Sequence, residues 1–264
     1  MYSFEFFRFI DHSPIAHLIF NRPNKCNAMS AIFFEELPRV ITMLQQMHSI
    51  RALVISGEGK HFTTGADVNY LLSIMDEVKS KPPEVREQFL LETIEKMQAA
   101  FSALANCSMP TIAAVHGLCI GAGIDFIAAC DIRLATRSSY FSIMETKLGI
   151  PADLGTLQRL PFIISDGILK ELAFTSKIFS AKIGHKYGLI NHTYFTKKGL
   201  LKSAFACAKE CCENPFYAVK STKESINFIH QQQIQDGLQH IAKLNSIGLQ
   251  KEQATEKFTK LLRR

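Results

Sequence analysis

The sequence predicts an α/β core followed by an all-helical C-terminal region. Three observations carry the prediction. Strand-like and helix-like runs alternate through about the first 195 residues. The runs RALVISG and TIAAVHG are apolar through their centres, as strands are when a sheet is covered on both faces. Beyond about residue 197 the strand pattern stops and only helical periodicity continues, which places a boundary between residues 1–197 and 198–264.

Taken in order, FEFFRFI and IAHLIF read as a strand pair joined by the turn-forming DHSP, and the phenylalanines Phe4, Phe6, Phe7 and Phe9 read as sheet packing. AIFFEELPRVITMLQQMH has apolar residues at helical spacing, and Pro38 is expected to end or bend it. RALVISG is a buried strand, GEGKHFTTGAD a loop, and Asp76 to Pro83 a flexible connection. KPPE then starts a helix over Glu84–Ala105. TIAAVHG is a strand leading through GLCIGAG into a helical apolar run, and DIRLAT and YFSI are strands again. Three or four helices complete the chain.

With 264 residues, 47% of them hydrophobic, the chain is long enough to bury a sizeable core. No window approaches ~18 apolar residues in a row, and Glu5, Arg8 and Asp11 interrupt the first twenty, so neither a membrane span nor a signal peptide is predicted. The C-terminal LLRR differs from a peroxisomal S-K-L address, and cytoplasm is the expected compartment. Seven cysteines, an odd set without a C-x-x-C pair, argue for reduced, mostly buried thiols over disulfides or zinc. The net charge of +6 is spread along the chain, apart from a basic KEQATEKFTKLLRR. Without a dense basic stripe and aromatic platforms, nucleic acid is not an expected partner.

Chemistry concentrates in two glycine-bearing turns and three acids. In VHGLCIGAGID a strand passes through glycines into a helix, which aims backbone N–H groups at one point; the missing third glycine and distant acid argue against a dinucleotide fold. HFTTGAD offers a second small-residue turn, where Thr64, Gly65, Ala66, Asp67 and Val68 are candidate ligand contacts alongside Gly123 of the first. Two such turns converging on a carbonyl oxygen make an oxyanion hole. Asp125, Glu145 and Asp153 stand 20 and 8 positions apart in otherwise apolar or turn-forming segments. Carboxylates in such settings are costly to ionise and suit proton transfer, although helix caps and ion pairs also place acids near glycines.

NRPNKCNAM, HFTTGAD, AAVHGLCIGAGIDFIAACDIR and LGIPADLGTLQRLP, in this order and spacing, resemble the enoyl-CoA hydratase/isomerase (crotonase) family. The resemblance implies a crotonase-like spiral of ββα turns that holds an acyl-CoA thioester, with a C-terminal helical region that assembles trimers, often paired into hexamers. It implies that the N–H groups of Ala66 and Ala122 bind the thioester oxygen, that Arg22 and Lys25 meet the CoA nucleotide, and that Phe258 and Lys260 reach the CoA of a neighbouring subunit. It implies no metal and no cofactor beyond the CoA of the substrate. Ala122 departs from the glycine usual at its place, and its methyl group narrows the pocket.

Within the family the hydratases have Glu at the places of Asp125 and Glu145 and Gly at that of Asp153. The Asp, Glu, Asp set resembles the Δ3,5-Δ2,4-dienoyl-CoA isomerase branch. That resemblance implies Asp153 as the base at C2, Glu145 as the acid at C6, and Asp125 as a neighbour that biases their protonation. Closely spaced carboxylates titrate together, so one stays protonated near neutrality. Two alternatives remain at this stage: a 2-enoyl-CoA hydratase, and a catalytically silent binding or scaffold protein of the same fold. His61 and His116, at strand ends, read as backbone-bonded histidines.

Overall fold

The computed structural model describes residues 4–250 and 256–260. Strands β1 (Phe7–His12) and β2 (Ile15–Phe20) pair antiparallel across a tight turn. Helix α1 (Ala31–Gln46) then crosses to β3 (Ala52–Gly57), which runs parallel to β2. Pro38 lies inside α1 without ending it. Phe33, Phe34 and Leu37 before the proline and Val40, Ile41 and Leu44 after it are all buried in one core, so tertiary packing outweighs the missing N–H.

Helices α2 (Val68–Ser80) and α3 (Pro83–Ala105) follow. The predicted flexible stretch from Asp76 is in fact the last turns of α2 and a two-residue link. Asp67 caps α2 by accepting from Asn69 N at 2.9 Å, and Ile74, Met75 and Val78 bury its inner face, which a polar sequence reading does not reveal.

Next come β4 (Thr111–Val115), β5 (Leu118–Ile120), α4 (Ala122–Ala128), β6 (Ile132–Thr136) and β7 (Tyr140–Ser142). The single-turn α5 (Thr156–Arg159), α6 (Asp166–Thr175), β8 (Phe179–Ser180), α7 (Ala181–Lys186) and β9 (His192–Tyr194) complete the strand-bearing part. The main sheet has the order β1-β2-β3-β4-β6-β9, parallel except for its first pair, and a smaller sheet has the order β5-β7-β8. Successive turns of chain thus add one strand to the main sheet and, in the middle of the spiral, one to the small sheet.

The regular structure that follows among the described residues is all helical: α8 (Lys197–Glu213), the 33-residue α9 (Phe216–Gly248), and residues 256–260. Packing is continuous across the change in sequence character near residue 197. Val54, Ile112, Ala114 and Leu134 point to one face of the sheet and meet Leu200, Ala204 and Ala208 of α8. Leu53, Ile55, Ala113 and Val115 point to the other, into a core rich in phenylalanine. The twofold alternation along apolar strands therefore serves two helical layers. Phe6, Phe7, Phe20 and Phe33 meet largely edge to face with ring centroids 5.0–5.7 Å apart, so the aromatic start packs the sheet as expected.

All seven cysteines are free; four are buried, while Cys26 is exposed and Cys207 and Cys211 are half-buried on α8. Among the described residues no helix is long and apolar enough to cross a membrane. The predicted basic stretch lies partly outside the described residues.

Candidate active site

The two glycine turns meet. Gly65 has φ +85°, and a Cβ there would stand 2.7 Å from the Ile120 carbonyl oxygen and 3.2 Å from the Ala122 nitrogen. Only a residue without a side chain lets the turn after β3 lie against the turn after β5. Around Ala66 the neighbouring groups are engaged: Met29 N donates to Gly65 O at 2.8 Å and Asp67 N to Met29 O at 2.9 Å. Gly121 N donates to Ser142 O at 3.0 Å. Among the described residues the N–H groups of Ala66 and Ala122 donate to no protein group, and both residues line one cavity.

That cavity encloses about 420 Å³. Its apolar walls come from α2 and α3, through Leu71, Ile74, Met75, Leu90, Ile94 and Met97, and Leu249 and Phe258 close it. Lys25 and Thr64 line it as well. Its polar wall carries Glu145, Asp153 and Asn245 beside the two turns. A long apolar group fits the first part, and a polarised carbonyl with a transferable proton fits the second.

Asp125, Glu145 and Asp153 are all buried, on α4, on the 3-10 turn Glu145–Leu148 and on the loop before α5. Burial pushes Asp125 up to about 6, against which the Thr156 hydrogen bonds and the Arg159 charge work. Burial pushes Asp153 up to about 7; the amide of Asn245 opposes the rise and the charge of Asp125 adds to it. Glu145 is raised well above the ordinary carboxylate range, first by burial and then by Asp125 and Asp153. Among the described residues its Oε2 is buried with no hydrogen-bond partner. Burial and mutual charge thus raise the proton affinity of all three carboxyl groups, Glu145 well above the ordinary range.

Residues 11–261 match the enoyl-CoA hydratase/isomerase family model. This chain belongs to the enoyl-CoA hydratase/isomerase family. It is 39% identical over 238 residues to the peroxisomal Delta(3,5)-Delta(2,4)-dienoyl-CoA isomerase of Arabidopsis thaliana, covering 90% of this chain and 86% of that one. It is 35% identical over 249 residues to the mitochondrial Delta(3,5)-Delta(2,4)-dienoyl-CoA isomerase of Dictyostelium discoideum, covering 94% and 85%. Among solved structures, an enoyl-CoA hydratase/isomerase from Mycobacterium paratuberculosis superposes with a TM-score of 0.87 at 26% identity, covering 98% of this chain and 100% of that one. The crotonase-like fold read from the motifs is the fold observed.

Within this enoyl-CoA hydratase/isomerase chain, several candidate residues have other employment. Asp125 does not line the cavity: it is 1% exposed, and its Oδ1 accepts from Thr156 N at 2.6 Å. Gly123 does not line it either; a Cβ there would meet Thr63 Cγ2 at 2.6 Å, so its bareness serves packing of α4. Gly65 likewise acts by letting the turns approach, and Gly121 is the glycine that faces the cavity. Asp67 and Val68 line the cavity, but the Asp67 carboxylate is committed to the α2 cap and to Arg22, whose Nη1 lies 2.5 Å away. Arg22 also donates to Ala28 O and does not line the cavity, whereas Lys25 does.

Phe258, expected to reach a neighbouring subunit, is fully buried against this chain's own cavity, while Lys260 stays exposed beside Glu256. His116 Nε2 pairs with Gly59 O at 3.0 Å, and His61 Nδ1 accepts from Leu118 N at 3.2 Å, as read for strand-end histidines. Sequence reasoning missed Asn245 and Gln98. Both are amides inside long helices, where only an unusual burial of polarity on the inner face gives a signal, and both touch the Asp153 segment.

Proposed function

We propose that this chain is a Δ3,5-Δ2,4-dienoyl-CoA isomerase of fatty-acid β-oxidation, in which Asp153 and Glu145 carry out the proton shift. What supports the mechanism is the meeting, in one cavity, of Glu145, raised well above the ordinary carboxylate range, and Asp153, pushed up to about 7, beside two backbone donors that bond to no described protein group.

The substrate's thioester oxygen accepts from Ala66 N–H and Ala122 N–H, and Thr64, Gly65, Asp67, Val68 and Gly123 build the turns that hold those donors. Asp153 removes a proton from C2, whose acidity the polarised thioester raises. The electron pair of the broken C2–H bond becomes C2=C3, the C3=C4 pair moves to C4=C5, and the C5=C6 pair takes the Glu145 proton at C6. One proton leaves and one arrives, so the balance closes on two carboxyl groups without any cofactor beyond the CoA of the substrate. Asp125 acts from behind through its charge. A single oxyanion donor contributes about a hundred- to a thousandfold in rate when tested by removal.

In this reading the acyl chain lies against Leu71, Met75, Ile94 and Met97, and Lys25, which lines the cavity, meets the nucleotide end of CoA. Arg22 supports the α2 start through Asp67. Tyr217, Phe228 and Ile229 expose 81, 76 and 70% of their surface on α9, which supports self-association into a trimer or hexamer. Light scattering of the purified protein tests the assembly. The cytoplasmic assignment rests on sequence, whereas the relatives named above are peroxisomal and mitochondrial; a fluorescent fusion against markers of those organelles tests it.

The deciding assay follows the conjugated 2,4-dienoyl chromophore on 3,5-octadienoyl-CoA. Its growth with wild-type protein supports the isomerase. Formation of 3-hydroxyacyl-CoA from a 2-enoyl-CoA without any isomerisation points to the hydratase, and no turnover by a folded protein that binds CoA esters points to a silent binding protein.

A further inference from the structure

Among the described residues no cation pairs with Asp153. Its Oδ2 accepts a hydrogen bond from Nδ2 of Asn245, which is fully buried near the end of α9. The loop that carries Asp153 is tied to the same helix a second time. Nε2 of Gln98, from α3, donates to the Asp153 carbonyl at 2.7 Å and to the Leu238 carbonyl of α9 at 3.0 Å. A third amide, Gln158 Nε2 of α5, donates to the Gly237 carbonyl at 3.2 Å. Three neutral side chains thus dock α9 against the segment that presents the base.

The terminal torsion of an aspartate is soft, so a carboxylate on a loop does not by itself choose which oxygen to present. Gln98 anchors the backbone beneath Asp153, and Asn245 grips one carboxylate oxygen. We propose that Asn245 is a positioning residue for the Asp153 carboxylate: by engaging Oδ2 it leaves Oδ1 as the oxygen turned to the substrate and stabilises the form that accepts a proton. This rests on the isomerase reading above. Helix α9, far along the chain from the glycine turns, thereby takes part in proton abstraction.

The charged groups that act on Asp153 are few. Asp125 faces it from α4 and Glu145 shares its cavity wall, while Arg159 acts on Asp125. Among the described residues, α3 and α9 present the amides Gln98 and Asn245 to it. Removing the Asn245 donor therefore acts on the proton affinity of Asp153 without altering any charge.

The test is the pH profile of kcat/KM for wild type, Asn245→Leu and Asn245→Asp on 3,5-octadienoyl-CoA. It is read beside a carboxyl carbon-13 NMR titration of ligand-free protein, with the Asp153 signal assigned by its loss in Asp153→Asn. A charge-assisted hydrogen bond corresponds to about 1–2 pH units of proton affinity. The acid limb and the Asp153 titration are both expected to move upward by that amount in Asn245→Leu, with activity recovering on the alkaline side. In Asn245→Asp, which preserves the volume should the leucine variant not fold, a like charge moves both in the same direction. A uniform loss of kcat with limb and titration unmoved would overturn the proposal and leave Asn245 a packing residue. If wild type does not isomerise the diene, the functional reading fails, while the NMR titration still decides whether Asn245 governs Asp153.

Discussion

The backbone N–H of Thr156 donates to Oδ1 of Asp125 at 2.6 Å, and this bond keeps a carboxylate behind the cavity wall while its charge still reaches the two acids that line it. The charge of Asp125 raises both Glu145 and Asp153, and in the proposed mechanism it would act on the proton shift at a distance. In Asp125→Asn the amide oxygen still accepts from Thr156, and the charge is gone. The acid limb of kcat/KM is expected to shift to lower pH, opposite to the Asn245 variants, with kcat falling about tenfold to a hundredfold as Glu145 gives up its proton too readily. A pH series of the chromophore assay checks it; an upward shift or no shift contradicts the through-space role.

Asp153→Asn and Glu145→Gln each remove one end of the proton path and preserve shape. Each is expected to lower kcat by about a hundred- to ten-thousandfold, with binding of a saturated acyl-CoA retained by calorimetry. Equal activity in either variant would remove that residue from the mechanism.

The same acids carry a stability signature. Burial pushes Asp153 up to about 7 in the folded chain from an ordinary 3.8. An acid whose folded pKa is raised penalises the fold above that pKa, and the penalty vanishes as pH falls to the unfolded value. Asp153→Asn is thus expected to be more stable than wild type at pH 8, by on the order of 1–3 kcal/mol. The advantage shrinks between pH 7 and pH 4. Urea unfolding at several pH values measures the difference, in which carboxylates remote from Asp153 cancel.

Gly65→Ala places a methyl group 2.7 Å from the Ile120 carbonyl at φ +85°. Backbone here cannot yield without parting the two donor turns. We expect a loss of about 1–3 kcal/mol in denaturant stability together with at least a hundredfold drop in kcat/KM. Gly167→Ala, a position on α6 where a Cβ meets nothing within 4 Å, is the control and should leave activity unchanged and stability equal or slightly raised.

Asp67 separates support from substrate contact. Asp67→Asn keeps the cap on α2 and weakens the Arg22 pair, whereas Asp67→Ala loses both. The alanine variant is expected to lose about 1 kcal/mol or somewhat more, with KM raised and kcat nearly unchanged, and the asparagine variant to stay closer to wild type. A collapse of kcat in Asp67→Asn would instead place this carboxylate in the chemistry.

Much of the fold was readable because its signals are local. Strands with apolar centres such as Ala52–Gly57 and Thr111–Val115 need a helical layer on each face, and α8 supplies the second. Pro38 and the Asp76 region misled because local propensity there is overruled by burial of the α1 and α2 inner faces, an effect of neighbours remote in sequence. Of the site, the acids and turns stood out as polar or glycine-bearing interruptions of apolar runs. Asn245 did not, since an amide on a helix that mixes polar and apolar residues looks like solvent-facing chain until the helix is docked.

The sequence by itself determined the strand and helix alternation, the two donor turns, the identity of the three acids and the family, because these depend on residue type and on spacing along one stretch of chain. Tertiary structure alone decided which acids face the cavity, how far burial raises their proton affinities, and which helix grips Asp153. Proton affinity depends on burial and on charges brought together by folding, and the Asp153–Asn245 contact spans 92 positions that no local pattern connects.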